Sequence, residues 1–199
     1  MEKILIFIKH RLRFIWLIIE GVNGLVFNVM YRSRMEKVLP GVFDEYGKSS
    51  YVFRRLELSD AKSLQDLIKR QEESDLEYFS PHAFDLRSIT RQIKNRSFLM
   101  MGVFDDNLII GYFFLRFFIN KKSFVGRLID KQYRGKGIGM VMNDIMYVTS
   151  WRMGFRCLST ISKNNTSVMK AHAKNPTIRV LKELQNDYLL VEFVRDTKD

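Results

Sequence analysis

The chain has a single cysteine, Cys157, so no internal disulfide can form and the thiol content fits a reducing compartment. Acidic side chains are scarce, 22 against 33 Lys and Arg, which leaves a formal net charge of +11. A balance so basic calls for a polyanionic partner or an anionic surface, and nucleic acid, acidic lipid and a phosphorylated cofactor all meet it. Long uncharged apolar runs are missing as well. The N-terminal stretch "ILIFIKHRLRFIWLIIEGVNGLVFNVMY" is interrupted by Lys9, Arg11, Arg13 and Glu20. Nothing in it approaches the ~18 residues of a spanning helix. A secretory signal is not expected either, because the basic residues follow the first apolar stretch and no small-residue cleavage site appears. The protein is therefore read as cytoplasmic, starting at or near Met1. There is no internal repeat and no low-complexity segment. With 46% hydrophobic and 13% aromatic residues, the chain can bury a substantial core.

A length of 199 residues fits one domain with an appendage better than two full domains. Residues 1–47 read as a basic amphipathic helical extension and residues 48–199 as the domain. In the extension Leu5, Ile8, Leu12, Ile15 and Ile19 recur at helical spacing. Residues 1–35 hold six basic and two acidic side chains, a net +4. Such a helix either packs on its own domain or a second subunit, or lies on an anionic membrane. The domain opens with "YVFRRLEL" as a strand. "SDAKSLQDLIKRQEE" follows as a helix with Ser59 or Asp60 at its N-cap, and "FDLRSITRQIKN" as a second helix. "SFLMMGVFDD", "NLIIGYFFLRFF" and "SFVGRLID" read as an antiparallel meander joined by short turns.

After the third meander strand comes "QYRGKGIGMVMNDIM". Gly135, Gly137 and Gly139 alternate with Arg134, Lys136 and Ile138 directly before an apolar helical pattern that stops near Gly154. Glycine permits backbone conformations and close ligand approach that a Cβ obstructs. A helix start offers unpaired N–H groups and the positive end of the helix dipole, a combination that favours phosphate. The string Gly-x4-Gly-Lys-Ser/Thr of a P-loop is absent. The spacing Gly-x-Gly-x-Gly after a meander also departs from the dinucleotide-binding fingerprint. "FRCLSTIS" is the next strand, followed by a helix from about Thr166 to Lys174. "TIRVLKEL" and "DYLLVEFVRD" read as a closing hairpin, but "PTIRVLKELQN" reads equally as a helix by propensity, and spacing alone does not settle it.

Arg134-x-x-Gly137-x-Gly139 at a strand–helix junction resembles the signature of the GNAT superfamily of acyl-CoA-dependent N-acyltransferases. The order of elements over residues ~50 to ~195 resembles that superfamily too. The resemblance implies an α/β (α+β) fold: a mixed, mostly antiparallel sheet of six to seven strands flanked by helices, here with an N-terminal helical appendage. It decides the ambiguous C-terminus in favour of the hairpin. It further implies that the backbone of Arg134, Gly135, Lys136, Gly137, Ile138 and Gly139 holds the pyrophosphate of coenzyme A. Leu128 and Ile129 would pair with the pantetheine arm where their strand splays from "CLSTIS". Aligning Lys174 with the family lysine puts Asn165 on the family asparagine and His172 on the tyrosine that often protonates the leaving thiolate. The Gly-Phe pair expected next is replaced by Pro176-Thr177. Asn165 either contacts pantetheine or a water, or caps its helix. His172 acts as the acid or only bonds cofactor or solvent. Asp130 is the nearest carboxylate for a general base and equally a turn cap or a partner of Lys131. Tyr78, Ser80 and His82 in "DLEYFSPHAF" line the acceptor pocket or serve as ordinary loop residues. Cys157 reads as structural.

The implied function is transfer of an acyl group, acetyl above others, from acyl-CoA to a primary amine of a small or acidic acceptor, by direct attack in a ternary complex. Coenzyme A and the amine are the expected partners, and no metal is expected. Peripheral membrane contact through residues 1–35 and a homodimer stay open, and nucleic acid is not expected. The alternative is a binding protein that keeps the fold without turnover and works at an anionic surface.

Overall fold

The computed structural model describes residues 13–166, 168–169 and 177–195, with side chains from residue 18 onward. A 34-residue helix, α1 (Arg13–Tyr46), precedes strand β1 (Val52–Arg55). Helices α2 (Ala61–Lys69), the single turn α3 (Glu73–Leu76) and α4 (Leu86–Lys94) follow. Next come β2 (Phe98–Asp105), β3 (Leu108–Phe118), β4 (Lys122–Ile129), α5 (Ile138–Arg152) and β5 (Arg156–Ser162). The hairpin of β6 (Ile178–Glu183) and β7 (Tyr188–Phe193) closes the described chain. The seven strands form one sheet in the order β1-β2-β3-β4-β5-β7-β6. Only the β4–β5 pair is parallel; every other pair is antiparallel. This is the mixed, mostly antiparallel sheet that the resemblance implies.

Both faces of the sheet are covered, which is why β2 and β3 read as continuous apolar runs rather than alternating ones. On one face Leu99, Met101, Val103, Phe113, Leu115 and Val125 pack under α1 and α5. On the other, Phe98, Met100, Tyr112, Phe114 and Leu128 pack under α2 and α4. A fully buried Leu or Phe of this kind contributes about 1.5–3 kcal/mol. The meander turns place Asp106 and Lys121 at positive φ, and the β6–β7 turn does the same with Asn186 and Asp187.

Two local expectations change in form. Asp60 does not cap α2 with its side chain; a 3-10 turn over Leu58–Asp60 precedes that helix. The Asp60 carboxylate accepts the Glu57 N–H at 2.8 Å and holds Arg54 through two bonds of 2.7 and 2.8 Å, and the Arg54 guanidinium keeps its pKa below the usual carboxylate range. The extension docks through another stripe than expected: Phe27, Tyr31, Met35, Leu39 and Val42, at near-constant i+4 spacing, join the α5-side core. Of the stripe read from sequence, Leu5, Ile8 and Leu12 and the side chain of Ile15 lie outside the described residues, and Ile19 is exposed. Asn23 ties α1 to the end of β3, donating to the Phe117 carbonyl at 2.8 Å and accepting the Ile119 N–H at 3.1 Å. Among the described residues no helix is long and apolar enough to cross a membrane.

Candidate functional site

The parallel pairing of β4 with β5 is short. It runs from Lys122 opposite Arg156 to Phe124 opposite Leu158, and the Ser159 hydroxyl then donates to the Val125 carbonyl at 3.2 Å. β4 continues to Ile129 while keeping its ladder to β3, so the β5-side edge of residues 126–129 is left without a strand partner. Leu128 and Ile129 therefore lie on an opened segment, as the splay required. Leu128 points into the α2/α4-side core and Ile129 to the α5 side.

At the end of β4 the chain turns through Asp130 and a 3-10 turn, Lys131–Tyr133, into the glycine loop. Gly135 and Gly137 have φ of 77° and 79°, a left-handed backbone that favours glycine. Gly137 is the N-cap of α5. Among the described residues, the N–H groups of residues 135–139 have no hydrogen-bond acceptor. A row of unpaired donors at the start of a 15-residue helix is an arrangement that favours an anion. The space beside Gly135 is open. Gly139 plays a different part: a Cβ there would stand 2.7 Å from Nη1 of Arg127, so the missing side chain lets β4 and α5 approach.

The side chains around the loop are mostly occupied. Arg134 turns back to the sheet, donating from Nε to the Ile129 carbonyl at 3.2 Å and from Nη1 to Asp75 at 2.8 Å. That bond holds the Asp75 carboxyl below its usual range. Lys131 pairs with Glu72 at 2.6 Å, Arg156 pairs with Glu192 at 2.7 Å, and the Lys136 ammonium lies 4.6 Å from the centre of the Tyr133 ring. Residues 120–156 hold eight basic and two acidic side chains, but pairing with acids from elsewhere in the chain removes much of that excess. What the loop leaves uncommitted among the described residues is its backbone N–H groups and the exposed ammonium of Lys136.

Asp130 is buried, accepts the Gln132 N–H at 3.2 Å and pairs with Arg70 at 2.6 Å. Arg70 also donates to the Ile109 carbonyl. Its contacts are those of a turn cap and ion pair, with Arg70 rather than Lys131 as the partner. Asn165 accepts the Val168 N–H through Oδ1 at 3.1 Å, the geometry of a helix cap. His172 lies outside the described residues. In the linker between α3 and α4, Ser80 is exposed and Tyr78 is half-buried. His82 turns inward instead. Its Nδ1 faces the Ala83 carbonyl at 2.8 Å, which can only accept, so Nδ1 carries the proton and Nε2 accepts from the Tyr112 hydroxyl at 3.0 Å. Burial pushes the His82 imidazole pKa down. Ser80 thus stays exposed, whereas both ring nitrogens of His82 are committed within the fold. Cys157 is fully buried and burial pushes its thiol pKa up, the environment of an inert thiol.

One residue of the opened strand was not singled out from sequence. Arg127 shares the parity of Val125 and Ile129, the α5-facing side of β4, so a cation interrupts an otherwise uncharged stripe; that break in "SFVGRLID" was the available signal.

No protein-family model and no curated protein matches the chain. Solved structures match its fold. The PaiA N-acetyltransferase of Thermoplasma acidophilum, crystallised with coenzyme A, superimposes with a TM-score of 0.61 at 18% identity, covering 74% of this chain and all of its own. The GNAT domain of S. lividans PAT gives 0.62 at 12% identity, covering 71% of this chain and 88% of its own. A ribosomal-protein-alanine N-acetyltransferase of Brucella melitensis gives 0.57 at 14% identity, covering 72% and 99%. The chain has the fold of the GNAT N-acetyltransferases. These neighbours are matched almost end to end, whereas about a quarter of this chain has no counterpart in them.

Proposed function

We propose that the protein is an acyl-CoA-dependent N-acyltransferase, with acetyl-CoA as the leading donor. The observation that carries this is the row of unpaired N–H groups over residues 135–139, set beside a strand that opens from its parallel neighbour. The loop backbone from Arg134 to Gly139 holds the pyrophosphate, and the free edge of β4 over Leu128 and Ile129 lines the pantetheine arm. The acceptor amine enters from the linker that carries Tyr78 and Ser80. A neutral amine nitrogen attacks the thioester carbonyl carbon; the C–N bond forms, the C–S bond breaks, the nitrogen gives up one proton and the leaving thiolate takes one up, so no net proton is lost. N–H groups on the free edge of β4 are suited to the developing oxyanion. Positioning two reactants in one cleft supplies much of the rate. Protonation of the thiolate falls to His172 or to water, and Asp130 serves the loop's fold. A primary amine on an acidic molecule suits the basic surface. The test is thiol release from acetyl-CoA across a panel of amines. Turnover with at least one amine that disappears in Gly137→Glu, which puts bulk and negative charge into the cradle, supports the proposal. Turnover that survives this substitution overturns it.

A second reading adds a location. Ile18, Val22, Leu25 and Val29 of α1 are 49, 54, 65 and 76% exposed and share one helical face. Beside them a groove of ≈ 430 Å³ is bordered by Arg91, Lys94 and Arg96, three exposed cations outside any ion pair among the described residues. An apolar stripe rimmed by cations is complementary to an anionic lipid surface. Cosedimentation with phosphatidylglycerol vesicles, lost in a Val22→Glu/Val29→Glu variant and weak on phosphatidylcholine, is the expected result. A dimer in solution that dissociates in the same variant, without vesicle binding, would assign the stripe to a second copy instead.

A further inference from the structure

Arg127 is placed where a lone cation is unstable. Its guanidinium packs between β4 and the first turns of α5, with Nη1 against Gly139 and Nε donating to Oδ1 of Asn143 at 2.8 Å. That is its one hydrogen bond, and no carboxylate pairs with it among the described residues. Residues 163–176, which follow β5, contain no Asp or Glu that could serve. Burial pushes the guanidinium pKa down, with nothing beyond the Tyr147 hydroxyl in opposition. Other arginines around the cleft are treated differently: Arg70, Arg134 and Arg156 each have a carboxylate. A half-buried cation without a counter-charge is unfavourably placed, and this one stands beside the positive end of α5, which adds to the cost. Glycine at 139 is what makes room for it. A leucine or methionine on β4 would fill the same space without a charge. The side chain projects from the middle of the opened segment of β4, and two of its nitrogens are uncommitted.

We propose that Arg127 receives an anionic oxygen group of the ligand that occupies the cleft, through the free Nη1/Nη2 side of its guanidinium. This rests on the reading of the cleft as an acyl-CoA site. The anion has two candidate sources of the same chemistry: a carboxylate at the end of the acyl group, as in a dicarboxylic acyl donor, or the pyrophosphate held by the loop. Planar, two-pronged recognition of either is what a guanidinium does best. In the first case Arg127 sets acyl specificity; in the second it is a cofactor-binding residue.

The test is titration calorimetry of the full chain and of Arg127→Met with coenzyme A, acetyl-CoA and succinyl-CoA. Methionine keeps length and apolar packing, and a cooperative melt of the ligand-free variant at or near the parent temperature shows that it folds. If the carboxylate is the source, succinyl-CoA binds the parent protein at least tenfold tighter than acetyl-CoA, and Arg127→Met erases that difference while leaving coenzyme A unchanged. If the pyrophosphate is the source, all three ligands weaken together by at least tenfold in the variant. S-acetyl-pantetheine, which lacks the pyrophosphate, then binds both proteins equally. Affinities within twofold for all three ligands, in a folded variant, overturn the proposal while leaving the cleft reading intact. Absence of binding of any of the three to the parent protein overturns both.

Discussion

Replacing Gly137 by alanine and by asparagine separates the backbone conformation of the loop from its ligand chemistry. Gly137 sits at φ 79° and ψ −10°, directly before α5. A Cβ there would meet nothing closer than Cε of Met140 at 3.8 Å, an ordinary contact, so packing neither helps nor hinders the substitution. What changes is the backbone. A left-handed alanine costs roughly 1–2 kcal/mol, and alanine is a poorer N-cap than glycine by about 0.5 kcal/mol. The sum is about 2 kcal/mol. At about 2–4 °C per kcal/mol for a chain of this size, the melting temperature should fall by about 4–8 °C. Asparagine tolerates the left-handed region and can accept an N–H of the first helical turn. Gly137→Asn should therefore recover at least half of that loss in calorimetry. Its side chain would then occupy donors that the anion needs, so coenzyme A affinity should still drop. Equal melting temperatures for the parent, alanine and asparagine proteins would refute the left-handed cap.

Two further outcomes follow from the titrating groups. The folded-state pKa of His82 is lowered, so above pH ~6.5 the ring is neutral in folded and unfolded chains alike and its full contribution to stability is present. Below ~6.5 the unfolded chain binds a proton that the folded chain resists, and stability falls by up to about 1.4 kcal/mol per pH unit until the folded value is reached. The drop in melting temperature from pH 7.5 to 5.5 should be smaller in His82→Gln than in the parent; identical drops would show that His82 titrates normally. Cys157 should be unreactive toward a thiol reagent in the folded protein and react once in denaturant, and fast labelling of the folded chain would contradict its buried placement.

Much of the fold was legible because its signals are local. The meander declared itself through short polar turns between apolar runs, and three of the four meander and hairpin turn residues at positive φ are Asp or Asn. The glycine loop was legible for the same reason, since alternating glycines before a helix have few other uses. What the sequence hid was pairing. The positive excess over residues 120–156 looked like free charge, yet Glu72, Asp75, Glu45 and Glu192 arrive from distant segments to neutralise four of its cations. Asp130 was legible as a carboxylate near the loop, but its commitment to Arg70, sixty residues earlier, was not. The docking face of α1 was missed because the N-terminal stripe is the more hydrophobic one, while the stripe that packs, from Phe27 to Val42, carries Tyr and Met and lies later in the helix. Arg127 went unremarked because parity on a strand names a face only once the layer over that face is known.

Residues 134–139 are proposed to hold coenzyme A. The most direct measurement is the melting temperature of the full chain with and without coenzyme A at about 100 times its dissociation constant. Binding at that level adds about 2.7 kcal/mol to stability. The melting temperature should rise by about 5–10 °C, and should not rise in Gly137→Glu. A cooperative transition that does not move with coenzyme A or acetyl-CoA at millimolar concentration would contradict it.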